Sequence, residues 1–164
     1  MSSPTTSHPA VEQVRAALVE AGATDAARGI RWFDDAVTTA AAAADALGVE
    51  VAAIANSLVF TLDDTPLLVL TSGAHRVDTA FLGDRLGGRV GRASKEVVKE
   101  ATGQVIGGVA PVGHPAPVRT VVDTALADLD VVWAAAGHAR TVFPTTFDEL
   151  VRLTGGEPSP VTPD

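Results

Sequence analysis

Apolar residues recur at Val11, Val14, Leu18 and Ala21, the spacing of one buried helix face. Pro9 stands where a first helical residue is tolerated, and Gly22 ends the pattern. Residues 29–33 read as a short strand stopped by Asp34 and Asp35. The alanine run 40–44 leading to Leu47 predicts a second helix, capped by Thr38 or Thr39 and stopped by Gly48. The pattern then turns β-rich. Residues 51–62 and 67–71 are strand-like runs separated by the polar residues 63–66, which predicts a hairpin. Asp78 caps a helix through Leu86 that Gly87 and Gly88 end, and residues 89–92 read as a short strand. Ser94 caps a helix over 95–101, stopped by Gly103. Strands follow at 118–122, ending at Asp123, at 131–136, ending at Gly137 and His138, and at 141–143. Thr146 and Glu149 have capping-box spacing and start a last helix closed by Gly155 and Gly156.

Strands and helices interleave without an internal repeat or linker, which predicts a single α/β domain with a mixed sheet. Its expected limits are residues 11–156, between a flexible N-terminus at 1–10 and a flexible, proline-rich tail at 157–164. Between 101 and 118 the regular pattern fails. Gly103, Gly107, Gly108 and Gly113 alternate with Pro111, Pro115 and Pro117, a composition that suits neither a helix nor a central strand. A loop of this length inside one domain is either a functional element or a long connection. In the functional reading the glycines let a ligand approach the backbone, so that Gly108→Val blocks binding and spares the fold.

Composition narrows the classes. The chain has 164 residues, 46% hydrophobic and 20% charged, which fits one globular domain with its own core. No apolar run approaches a membrane span and the N-terminus lacks a signal-peptide core, so a cytoplasmic protein without a membrane partner is expected. The absence of cysteine excludes disulfides, thiolate zinc sites and cysteine nucleophiles. Tyrosine, a common general acid, is absent too, and lysine occurs only at positions 95 and 99. The net charge of −8 argues against broad binding of a nucleic-acid backbone, and no DNA partner is expected. Locally the balance reverses. Arg76, Arg85, Arg89, Arg92, Lys95 and Lys99 outweigh Asp78, Asp84 and Glu96 by three charges. That window fits either solvated helix faces or contact with a few phosphates.

The polar groups available for chemistry are Asn56, Ser57, His75, His114, Asp123, His138 and the main-chain amides of the loop. A serine triad built on Ser57 or Ser72 lacks the Gly-x-Ser-x-Gly elbow. Two histidines with Asp123 offer metal ligands but no tight ligand spacing, so no metal and no cofactor is expected. The phosphate-loop signature is absent. His114, inside the loop, and His138, after a strand end, are the better placed histidines.

Ile54 to Phe60 (IANSLVF), Arg76 to Asp78 (RVD), Ala101 to Gly103 (ATG), Gly107 to Pro111 (GGVAP), Val118 to Asp123 (VRTVVD) and Ala136-Gly137 occur in this order. Together they resemble the YbaK/EbsC family, related to the editing domain inserted in bacterial prolyl-tRNA synthetases. The likeness runs from about Val11 to Leu153. It implies a curved, barrel-like mixed sheet surrounded by helices, and a free-standing enzyme that hydrolyses the ester of mischarged aminoacyl-tRNA. The implied partners are the 3′ end of an aminoacyl-tRNA and, as a second candidate, an aminoacyl-tRNA synthetase. The Gly-x-x-x-Pro loop, here Gly107, Gly108, Val109, Ala110 and Pro111, is implied to line the pocket and hold the aminoacyl carbonyl with backbone groups. The pocket is then expected to combine Asn56 and Ser57 with that loop and with His114, Asp123, Ala136, Gly137 and His138. Two departures stand out. The family lysine before the Ser/Thr-Leu pair, which holds a phosphate or orients substrate, is Asn56 here. The serine found in some members near 134–138 is missing. Two alternatives therefore stay open: a binding module on the same fold that does not turn its ligand over, and a different hydrolase using His114 or His138 as base.

Overall fold

The computed structural model describes residues 8–104 and 106–163. Its central unit is a hairpin in which β2 (Ile54–Leu62) and β3 (Thr65–Ser72) pair antiparallel from Ala55↔Ser72 to Leu62↔Thr65. Asp63 and Asp64 alone form the turn, at φ 50° and 70°. Two consecutive left-handed residues make the tight turn that matches strand twist, and aspartate tolerates that region better than most side chains. The hairpin is therefore tighter than residues 63–66 suggested. Pro66 sits inside β3, opposite Thr61, one residue before β3 meets its other neighbour, so its missing N–H breaks no ladder.

Four helices begin and end as their sequences dictate. In α3 (Ala40–Leu47), α4 (Thr79–Leu86), α5 (Lys95–Thr102) and α6 (Phe147–Thr154), the side chains of Thr39, Asp78, Ser94 and Thr146 accept the first orphan N–H. Gly48, Gly87, Gly103 and Gly155 then close them in the left-handed conformation. α1 (Pro9–Glu20) opens with proline in its first turn and buries Val11, Val14 and Leu18. A short helix that the pattern did not announce, α2 (Thr24–Arg28), follows it. Because α1 starts at Pro9, the flexible segment expected at 1–10 does not include residues 9 and 10; residues 1–7 lie outside the described residues.

Eight strands form one mixed sheet in the order β1 (Arg31–Trp32), β7 (Thr141–Thr145), β6 (Val132–Ala135), β2, β3, β5 (Arg119–Asp123), β8 (Glu157–Ser159), with β4 (Val90–Arg92) paired to β2 off that path. β1 and β8 lie at opposite ends, so the sheet is open and not a closed barrel. One face carries the largest core, where Leu68, Leu70, Val122 and Phe143 meet Val14 and Leu18 of α1 and Leu150 of α6. On the other face, Leu67, Val69 and Val121 pack with Leu82 of α4, and Ile54 packs with Ala43 and Ala44 of α3.

The chain after Gly156 corrects the expectation of a disordered tail. β8 pairs parallel with β5, Ser159 is buried and accepts from Arg85 Nε at 2.9 Å, and Val161 is fully buried beside Leu82. Its proline content hid a short edge strand, the position where proline is tolerated in a sheet.

Candidate functional site

The outer edge of β2 is shared by two short strands. β6 pairs with Ile54 and Ala55, and β4 pairs with Phe60 to Leu62. Positions 56–59 between them have no strand on that side. The hairpin fixes which main-chain groups face the gap. Leu62 and Thr65 close the two-residue turn, so even-numbered residues of β2 direct their N–H and C=O at β3. The Ile54 carbonyl, which accepts from Gly73 N at 2.8 Å, obeys the same rule. Odd-numbered residues point the other way. Ala55 meets β6, Thr61 meets β4, and Ser57 aims its N–H and C=O into the gap, where no backbone group of the described residues meets them. The Ser57 hydroxyl is buried and also lacks a partner among the described residues. Orphaned polar groups in the middle of a central strand are costly unless something is to bind there.

A cavity of about 420 Å³ opens at this gap, within the range of about 300–1,000 Å³ usual for small-molecule sites. Its floor is β2 from Ile54 to Phe60. The first turn of α3 (Thr39, Ala40, Ala43), the loop residues Ile106, Gly107 and Val109, Val98 of α5, and Trp133, Ala135, Thr141 and Val142 of β6 and β7 form the walls. Asn56 and Gly107 thus line one space. Asn56 shares the side-chain face of Phe60, while Ser57 shares that of Ala55 and Val59. The cavity wraps around the free edge and reaches both. Among the described residues, Arg92 is the lone charged one of the wall, which contains no histidine or carboxylate.

The other expected site residues are placed elsewhere, each for a visible reason. Gly108 is buried with its Cα against the next loop: a Cβ there would sit 2.6 Å from the His138 carbonyl carbon and 2.7 Å from Ala139 N. Its missing side chain serves packing, so the expectation that Gly108→Val spares the fold is corrected. Ala110 and Pro111 lie buried behind the wall. Ala136 is fully buried, and Gly137, at φ 103°, packs against Ala10 and Val14 of α1. His138 is engaged locally: its Nδ1 accepts from Arg140 N at 3.1 Å, and its ring lies 5.1 Å from that of Trp32. Burial, with His8 and Arg140 nearby, lowers its pKa from 6.5. His114 donates from Nε2 to the Ala110 carbonyl at 2.8 Å, and burial lowers its pKa as well, so a neutral ring pins the loop. Asp123 is fully buried under β3, where it accepts from Ser72 N, Ala125 N and His75 Nδ1. Ser72 Oγ instead donates to the Ala52 carbonyl.

Gln104, which the sequence did not mark, shapes the loop. Only 2% exposed, its carboxamide accepts from Ala110 N at 2.7 Å and donates to the Val112 carbonyl at 3.2 Å. Thr102 Oγ1 donates to the Val98 carbonyl at 2.7 Å and accepts from Gln104 N at 3.1 Å where α5 runs into the loop. The amide of Ala110 is therefore spent on Gln104, and Gly107 is the glycine of the loop that reaches the cavity. Nothing local in the sequence marks position 104, because the role of this glutamine comes from the loop carbonyl and amide that folding brings to it.

A family model described as the aminoacyl-tRNA editing domain matches residues 34–153. The uncharacterized protein YwhH of Bacillus subtilis (strain 168) is 29% identical over 119 residues, 72% of this chain and 76% of that protein. The proline–tRNA ligase of Maridesulfovibrio salexigens is 33% identical over 97 residues, 56% of this chain but only 16% of the ligase. Among solved structures, a crystal structure of a proposed trans-editing enzyme for prolyl tRNA synthetase superposes with a TM-score of 0.89 at 35% identity, covering 97% of this chain and all of that one.

Proposed function

The chain belongs to the aminoacyl-tRNA editing domain family, and from that premise we propose that it hydrolyses the ester of mischarged aminoacyl-tRNA in trans. The observation that carries this reading is the gap in the sheet, where Ser57 offers unpaired main-chain groups and Asn56 and Gly107 line the same cavity. A terminal adenosine carrying its amino acid fits such a slot end-on. The Ser57 N–H is a fixed donor for the ester carbonyl, and a preorganised donor of that kind is worth about 3 kcal/mol when charge develops on oxygen. The Asn56 carboxamide can hold a ribose hydroxyl or the α-amino group without carrying charge.

No acid or base side chain lines the cavity, so positioning must do most of the catalysis, with water and the neighbouring ribose hydroxyl supplying the proton transfers. This leaves the histidine-dependent hydrolase without a group in place, because neither His114 nor His138 lines the wall. The alanine, valine, isoleucine and threonine walls favour an uncharged amino acid of modest size. The partners in this reading are the tRNA 3′ end and, upstream, the synthetase that mischarges it, in the cytoplasm. The described helices include none long and apolar enough to cross a membrane.

The test is single-turnover deacylation across a panel of mischarged tRNAs. At least one mischarged species should lose its amino acid well above the rate in buffer, and its correctly charged counterpart should be spared. No acceleration for any species would overturn the proposal. The same wall, with no acid or base side chain among the described residues, favours a second reading, a module that binds aminoacyl-adenosine without hydrolysis. Tight binding of a non-hydrolysable analogue with no turnover would identify it.

A further inference from the structure

We propose that Arg92 is the phosphate anchor of this site, gripping the 5′ phosphate of the terminal nucleotide at the rim while the aminoacyl end lies in the gap. The inference rests on the editing reading for its ligand, and on three independent observations for its residue. Arg92 is the lone charged side chain in the cavity wall. It is exposed, and among the described residues it makes no ion pair or hydrogen bond, unlike Arg15, Arg119, Arg140 and Arg152, whose guanidinium groups are all engaged. It also stands in register with Phe60 on the same face of the sheet as Asn56.

The spacing suits a nucleotide. From Asn56 to Phe60 the strand advances about 13 Å at roughly 3.3 Å per residue, so one end of the slot is neutral and the other is cationic. Lys95 follows Arg92 by three residues on the first turn of α5, with Glu96 beside it, so the added positive charge there is offset. The chain as a whole carries −8, so a free guanidinium in the cavity wall gives an entering anion a local attraction that the net charge does not. A planar guanidinium with five donors suits phosphate oxygens, and an exposed one holds its charge at any working pH. With Asn56 neutral, the cationic end of the slot is the one beside Phe60. The ligand class that follows is a 3′-terminal nucleotide of RNA with its backbone phosphate in place.

The experiment compares two probes, 3′-aminoacylamino-3′-deoxyadenosine with and without a 5′ phosphate, binding to the wild type and to Arg92→Gln at several salt concentrations. The wild type should bind the phosphorylated probe about tenfold more tightly, the scale of one charge-assisted contact at an exposed position. Arg92→Gln should erase that difference and leave the unphosphorylated probe unaffected. The slope of log affinity against log salt should fall by about 0.7, one phosphate contact on a single strand. A phosphate preference that survives Arg92→Gln, or equal weakening of both probes, would overturn the proposal. Adenosine 5′-monophosphate bound as tightly as the aminoacylated probe would overturn the RNA assignment in favour of a free nucleotide. The two readings fail separately. Arg92-dependent phosphate binding without deacylation of any tRNA would sink the editing reading alone, whereas deacylation whose kcat/KM and salt dependence ignore Arg92→Gln would sink this one alone. Absence of both binding and deacylation in the wild type would sink both.

Discussion

At the scale of single residues, Asn56 lines the cavity from β2 with an uncharged side chain. A neutral carboxamide gives hydrogen bonds worth about 0.5–1.5 kcal/mol each, so Asn56→Ala should lower kcat/KM for the edited tRNA by about tenfold, since 1.4 kcal/mol is one decade. Asn56→Lys separates two histories of the pocket. If the slot still accommodates an ammonium, binding of the phosphorylated probe tightens and its salt dependence steepens. If the slot has been rebuilt with Arg92 as its cation, the buried stem of the new lysine brings an unpartnered charge and binding weakens. The second outcome is the one expected here. His114 makes a pH prediction. Its pKa is lowered in the folded protein from 6.5 by burial, so the unfolded chain binds the proton more readily. Stability is then full above about pH 6.5 and falls as pH drops through the unfolded-state value. The melting temperature measured between pH 7.5 and 5 should decline, and His114→Gln should flatten that part of the decline while melting below the wild type at pH 7.5 for want of the bond to Ala110. Among the candidate residues, Asn56, Ser57, Gly107 and Val109 come to line one cavity, each from a motif on a strand or beside a glycine. The roles of His138, His114 and Asp123 were not legible in the sequence, because what a histidine or aspartate does depends on the partner that folding brings to it.

At the scale of elements, the loop between α5 and β5 decides whether the cavity keeps its wall. Gln104 holds it by satisfying Ala110 N–H and Val112 C=O at once. Gln104→Ala leaves two buried main-chain groups without partners, at a cost of about 1–3 kcal/mol each. Urea unfolding should show a lower midpoint, and deacylation should fall with it even at temperatures where the variant is folded, because Gly107 and Val109 lose their support. Gly108→Val acts differently. Its Cβ meets the backbone of His138 and Ala139 below 3 Å, so the variant should melt at lower temperature and not simply lose ligand binding. A Gly108→Val protein with the wild-type melting temperature would show that the two loops do not pack as described. Gly108 was expected to let a ligand approach. The neighbour it lets in is another stretch of backbone, which no count of glycines along the chain reveals.

At the scale of the whole molecule, the sheet is extended by its last strand. β8 adds to β5, and Val161 fills the core beside Leu82. Removing residues 157–164 should cost several kcal/mol, since burial of a valine alone contributes about 1.5–3 kcal/mol; Val161→Asp should reproduce most of that loss in denaturant unfolding. Equal stability of the shortened chain would show that the segment is not docked. By itself the sequence determined the units: four helices with capping side chains and glycine stops, and a hairpin signalled by two β-rich runs around the polar residues 63–66. Each of these is set by interactions within about four residues, through helical period, caps and turn conformation. What only the tertiary structure decided is how those units share partners. β2 receives β4 from some thirty residues downstream and β6 from some seventy-five, and both are too short to cover its edge. The gap at residues 56–59, the orphaned groups of Ser57, the free guanidinium of Arg92 and the docking of the tail all follow from that long-range pairing. Strand partners are chosen by burial and register across the whole chain, so the site appears only when distant segments have been brought to the same edge.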